Sequence, residues 1–275
     1  MSTDIFSTES VEQRPSSQDL IRQVLVVVAT VSTIVVNGLA NALPINGQQT
    51  GDISDRFDVF FVPAGYVFSI WGLIYIGMIA YSVFQALPSQ RKNPRLQSIG
   101  YVYVLSALAN IVWIFLWHYE VFPATLAVML LLLISLIVIY QRLGTGQSVV
   151  STAEKWLVRV PFSLYLGWIT VATIANATSL LDYLGWSGWG ISPQSWAVIM
   201  LLIAAVVGLG FSLLRGDIAY VLVIGWALAG IMVKHSDNST IAALAGGLAI
   251  VVVLSLFIGV PRHRATLKAQ VGAEA

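Results

Sequence analysis

The chain has 275 residues, 57% of them hydrophobic and 10% charged, with a net charge of +1 and no cysteine. Soluble domains carry about 25% charged residues, so an ordinary water-soluble fold is excluded. So are a basic nucleic-acid surface, a disulfide framework, thiol catalysis and zinc–thiolate sites.

The surplus apolar residues fall into runs long enough to cross a bilayer, which takes about 20 residues. The expected fold is an all-α, polytopic membrane helix bundle. Residues 1–19 are polar, carry Asp4, Glu9, Glu12 and Asp19, and read as a disordered cytoplasmic tail. The first apolar run covers about 20–43. Ala40-Asn41-Ala42 resembles a signal-peptidase site, but the run is longer than a signal h-region and its leader is long and acidic, so it reads as a retained helix. Seven more runs follow, at about 65–87, 96–117, 122–141, 160–181, 195–214, 218–233 and 240–260. Between them lie turn formers such as Asn93-Pro94, Gly144-Thr145-Gly146, Arg215-Gly216-Asp217 and Asp237-Asn238. Eight transmembrane helices are expected.

Lys and Arg set the orientation. With the N-terminus inside, twelve of the fourteen fall in inner segments, and the outer loops keep Arg56 and Lys234. Both termini are therefore expected in the cytoplasm of a multi-pass protein, in a bacterial plasma membrane. Outer loop 44–62 is acidic (Asp52, Asp55, Asp58), and outer loop 182–194 carries Trp186 and Trp189, most simply interfacial anchors.

The second run opens with the stretch VPAGYVFSIWGLIY, residues 62–75. Pro63 suits the first position of a helix, where a backbone N–H has no partner anyway. Phe68, Trp71 and Tyr75 then share one helix face. No run carries an ionisable residue in its central part, which argues against a proton- or ion-coupled pump. What remains inside is uncharged and polar: Asn37, Asn41, Asn110, Thr170, Thr173 and Asn176. Asn110 and Trp113 lie one turn apart, and Trp168 and Asn176 about two turns apart on one face. His118/Glu120 and His235/Asp237 mark helix ends; they read as polar residues where helices leave the bilayer, not as a metal site. A small-residue face, Ala242/Ala245/Gly246/Ala249, suits helix association.

These residues carry a resemblance. Pro63, Trp71, Tyr75 and Met78 on the second run, Asn110-x-x-Trp113 with Trp117 and Tyr119 on the third, and Pro161, Trp168, Ala172-Thr173 and Asn176 on the fifth stand in the order and near-spacing of the TspO/translocator-protein family, the tryptophan-rich sensory proteins. The resemblance covers residues 20–181. It departs from the family at Val62-Pro63, where two prolines are usual, in the Trp-free first loop, at Pro161, one turn further from Asn176, and in the last three helices. It implies a five-helix bundle (20–181), a three-helix extension (182–262) and a cytoplasmic tail (263–275). It also implies a homodimer and a pocket for porphyrins, other tetrapyrroles or aromatic molecules. The implied ligand residues are Trp71, Tyr75, Asn110, Trp113, Trp168 and Asn176, with no catalytic group, metal or cofactor. Sensing or binding is the leading reading; transport of the ligand, or its enzymatic breakdown, is the alternative.

The charge bias makes a first prediction. Reporter fusions at residue 92 and after residue 268 should both read cytoplasmic; a periplasmic signal from either would break the eight-helix arrangement.

Overall fold

A computed structural model describes residues 17–274, so most of the expected N-terminal tail lies outside the described residues. Within them the chain is helical: α1 (Ser17–Ala42), α2 (Thr50–Ser54), α3 (Ile70–Ala86), α4 (Pro94–His118), α5 (Phe122–Arg142), α6 (Thr152–Glu154), α7 (Val160–Tyr183), α8 (Pro193–Arg215), α9 (Ile218–Lys234), α10 (Ser239–Leu254) and α11 (Leu256–Glu274). Seven helical stretches are long and apolar enough to cross a membrane, and α9, at 17 residues, is the shorter apolar eighth. The chain is an integral, multi-pass membrane protein.

Local chemistry explains most helix ends. Asn93, Ser192, Asp217 and Asn238 each accept a hydrogen bond from a backbone N–H in the first turn of the helix that follows, satisfying a donor that has no intrahelical partner. Gly216 closes α8 at φ 59°, in the left-handed region that glycine tolerates.

Two starts differ from the sequence expectation. Pro63 does not open a helix. Gly65–Ser69 form a 3-10 turn and α3 begins at Ile70; ahead of that turn Ala64 is extended and donates its N–H to the Gly230 carbonyl at 3.1 Å. The fifth span begins at Thr152, not at residue 160. A single π turn, Lys155–Arg159, precedes Pro161. Such a turn carries the helix past a residue that has no N–H to donate. At the C-terminal end, residues 263–274 continue α11, which contains Pro261.

Five helices close a ring: α1 lies against α3 and α4, α4 against α5, α5 against α7, and α7 against α3. Helix α9 lies against α7 and is flanked by α8 and α10, and α11 packs along α8. Two features dock α9. At its N-terminus the buried Asp217 carboxylate accepts from Tyr140 Oη of α5 (2.9 Å), Ser163 Oγ of α7 (2.6 Å) and the Tyr220 N–H (3.1 Å). Half-way along the helix the Trp226 indole donates to the Val67 carbonyl at 3.1 Å. The small-residue face of α10 is spent inside the chain: Ala245, Gly246 and Ala249 are buried, and Gly246 lies under the Met232 side chain of α9.

Gly230 makes close approach a requirement. A Cβ there would overlap Cγ2 of the fully buried Val67 and sit 3.1 Å from Pro63 Cβ. Gly230→Ala should destabilise the detergent-solubilised protein by about 1–3 kcal/mol, the usual cost of overpacking. Gly210→Ala, where a Cβ meets nothing within 4 Å, should be neutral or stabilising by up to about 1 kcal/mol. Thermal unfolding checks the pair, and equal shifts would mean that the α9 contact is not tight.

Candidate functional site

Trp71 and Tyr75 are one helical turn apart on α3, and their rings stack at 5.5 Å and 22°. From α7, Tyr165 meets Trp71 edge-on at 5.9 Å and Trp168 does so at 6.2 Å. Phe68 meets Trp168 at 5.5 Å. The expected shared face of Phe68, Trp71 and Tyr75 is thus a contact surface for α7. The indole N–H of buried Trp168 has no partner in the protein.

The amides are held by protein partners. Asn37 Nδ2 of α1 donates to Asn110 Oδ1 of α4 at 2.7 Å, and Asn110 Nδ2 donates to Tyr165 Oη at 3.1 Å. One turn further along α4, the Trp113 indole donates to Asn176 Oδ1 at 3.1 Å, and Asn176 Nδ2 donates to Thr125 Oγ1 of α5 at 2.9 Å. Trp113 stacks on Trp117 at 5.2 Å and 18°. The six residues singled out from the sequence therefore form two groups. Tyr75, Trp168 and Tyr165 all meet the Trp71 ring, and Asn110 joins this group by its hydrogen bond to Tyr165; Trp113 and Asn176 bond to each other. The linking residues Tyr165 and Thr125 were not singled out. Tyr165 had a signal, since it lies three residues before Trp168 and so on the same face of α7; Thr125 had none.

Two openings adjoin these groups. A cleft of about 10 Å³ runs among α1, α3, α4 and α7, bordered by Thr33, Trp71, Tyr75, Met78, Tyr103 and Tyr165. It holds one water at most. Buried Thr33 Oγ1 has no protein partner there. Tyr103 Oη and Thr30 Oγ1, which also line the cleft, bond at 2.7 Å. The second opening is a groove of about 550 Å³ between residues 58–61, the end of α7, the loop after it and the start of α8. That volume is in the usual range for a small-molecule site.

Residues 44–62 form a lid over the ring. Ile53 is buried with Trp117, Phe122 and Leu180. The Trp117 indole donates to the Thr50 carbonyl at 3.2 Å, and His118, fully buried, pairs its ring with Thr50 Oγ1 and with the Ile114 carbonyl. Gln48 and Arg56 bond Glu120 at 2.8 and 3.0 Å. The Gln48 and Arg56 hydrogen bonds hold the Glu120 carboxyl below its usual range. His118 and Glu120 are thus occupied in holding the lid. Among the described residues no group of three metal-ligating side chains converges.

Fold and site together define a class: a multi-pass, all-α membrane protein whose interior carries aromatic rings, amides and hydroxyls, while the ion pairs among the described residues lie at helix ends and in loops. Within that class, the chain belongs to the TSPO-like protein family, whose model matches residues 23–258. The match runs past the fifth span through α8, α9 and α10 and ends three residues into α11. Helices α8 to α10, which the five-helix pattern left without a counterpart, thus lie within it. No curated protein and no solved structure matches the chain.

The Asn37–Asn110–Tyr165 chain makes a prediction of its own. Asn110→Ala removes both bonds and should cost about 1–3 kcal/mol, the penalty for stranding buried polar groups. Asn37→Ala combined with Asn110→Ala should cost less than the sum of the two singles, as expected for partners. Strict additivity of the melting shifts in detergent would show that the two amides do not depend on each other.

Proposed function

We propose that this chain is a membrane sensory or binding protein for a flat, largely apolar ligand such as a porphyrin or another tetrapyrrole, seated in the five-helix ring, with both termini in the cytoplasm. The observation that carries the reading is Trp71. It borders the cleft with Tyr75 and Tyr165, and it stands over Trp168. Ring faces give such a ligand large rigid contacts, worth about 0.5–1.5 kcal/mol each beyond area burial. Two buried polar atoms without protein partners, Thr33 Oγ1 at the cleft and Trp168 Nε1 beside it, supply groups for a ligand's polar edge. Membership of the TSPO-like family agrees with this reading.

At about 10 Å³ the cleft is closed to any such ligand, so binding requires α1 to part from α3 or the Trp71–Tyr75 stack to swing outward. Helix α1 is suited to move. Only 28% of its most apolar window is buried in the protein, and lipid can replace protein against an aliphatic face at little cost.

Spectral titration of the purified protein with a porphyrin tests the proposal. Trp71→Ala should weaken binding about tenfold, which corresponds to about 1.4 kcal/mol, while Trp186→Ala, which lines the other groove, should change it little. Retained helicity and monodispersity in detergent confirm folding. If folded Trp71→Ala binds as the parent does while Trp186→Ala does not, the porphyrin site is not in the ring.

A further inference from the structure

We propose that the 550 Å³ groove is a second binding site, distinct from the aromatic cleft of the ring, and that it takes an organic cation with an apolar body. The site stands on three observations independent of the porphyrin reading.

The first is an indole cluster. Trp186, Trp189 and Trp196 meet pairwise at 5.2, 5.2 and 6.1 Å, and all three line the groove with Phe60. Trp196 sits on the first turn of α8 and its indole donates to the Gly188 carbonyl at 2.9 Å, which ties the loop to the helix. Indole faces are the best aromatic partners for a cation, and cages of such rings recognise quaternary ammonium groups.

The second is backbone conformation. Gly188, Trp189 and Gly190 all have φ between 54° and 78°. For glycine this is free, but for a tryptophan it costs of the order of 1 kcal/mol or more. The turn holds the Trp189 side chain 79% exposed, so burying the indole does not repay that cost.

The third is charge. Asp58 and Asp182 line the same groove. The two basic residues of the loops at this end are engaged elsewhere, Arg56 with Glu120 at 3.0 Å and Lys234 with Asp55 at 2.7 Å. Asp58 and Asp182 form no ion pair among the described residues. Asp182 also lies in the last turn of α7, which carries no basic residue. A carboxylate there opposes the helix dipole, so the fold gains no stability from its charge. Two uncompensated carboxylates beside three indoles select against anions and for a cation.

The groove lies at the ends of two membrane-spanning helices, α7 and α8, so the same chemistry could be presented by a soluble onium ion or by a choline headgroup. The test uses two hydrophobic ions of matched size and shape, tetraphenylphosphonium and tetraphenylborate, titrated against full-length protein in a non-ionic detergent with tryptophan fluorescence as readout. The cation should bind and the anion should not quench these indoles. Asp58→Asn combined with Asp182→Asn, both at exposed positions, should weaken phosphonium binding about tenfold, and Trp186→Ala by a similar factor. Trp71→Ala should leave it unchanged, the reverse of the porphyrin pattern, so failure of one site is not failure of the other. Repeating the titration in nanodiscs separates the sources: weaker binding in phosphatidylcholine than in phosphatidylethanolamine, which is also zwitterionic but has no quaternary ammonium, supports the site with the headgroup as occupant, and equal binding supports it with a soluble cation. Equal binding of the two ions, or no loss in the folded Asp58→Asn/Asp182→Asn protein, would overturn the proposal and leave the tryptophans as interfacial anchors.

Discussion

The rest of the ring depends on one chain of hydrogen bonds, Asn37 to Asn110 to Tyr165, which crosses from α1 through α4 to α7. In hydrocarbon a buried amide has no water to fall back on, so it must find protein partners or lose stability. Between apolar helices the lipid competes on equal terms with aliphatic side chains and gives little preference for any one rotation. A few polar contacts can therefore settle which faces meet. Once Asn110 is satisfied on both sides, α1, α4 and α7 have defined rotations, and Tyr165 is placed edge-on to Trp71. The aromatic group is a consequence of the amide chain as much as of its own stacking.

The same logic operates at the two ends of α9. A buried carboxylate is costly unless hydrogen bonds surround it, and Asp217 receives three, from α5, from α7 and from the first turn of α9 itself. At the other end, Gly230 allows the Pro63–Val67 segment to approach closely enough for Ala64 and Trp226 to bond across the contact. The final helices are thus joined to the ring by directional contacts at the start and in the second half of one short helix. This agrees with a family match that continues through them.

The two openings differ in what formed them. The ring cleft is what remains after aromatic and hydroxyl side chains have filled the space between four helices, and it is nearly closed. The groove is bounded by loops and helix ends, where the residue 58–61 segment of the lid faces the left-handed turn before α8. A site inside the ring must open by moving helices; one at the groove needs no helix to move. A ligand in either would report on the bilayer differently, the first from within it and the second from its edge.

By itself the sequence determined what is local. Span number follows from apolar run length, helix ends from Asn93, Asp217, Asn238 and Gly216, and the shared face of Phe68, Trp71 and Tyr75 from helical spacing. Each of these is a property of a few neighbouring residues. The sequence was less reliable at two starts: Pro63 looked like the first residue of a helix yet lies ahead of a 3-10 turn, and the fifth run, read as starting near residue 160, begins at Thr152 with a π turn before Pro161. Only the tertiary structure decided partners. Nothing in the spacing of Asn110 and Asn176 says that one amide meets Asn37 and Tyr165 while the other meets Trp113 and Thr125. Nothing near Trp186 and Trp189 says that Trp196 and Asp58 join them at one groove. Those pairings depend on the order and rotation of helices far apart in the chain, and in a bilayer an apolar periodicity does not say which face turns inward.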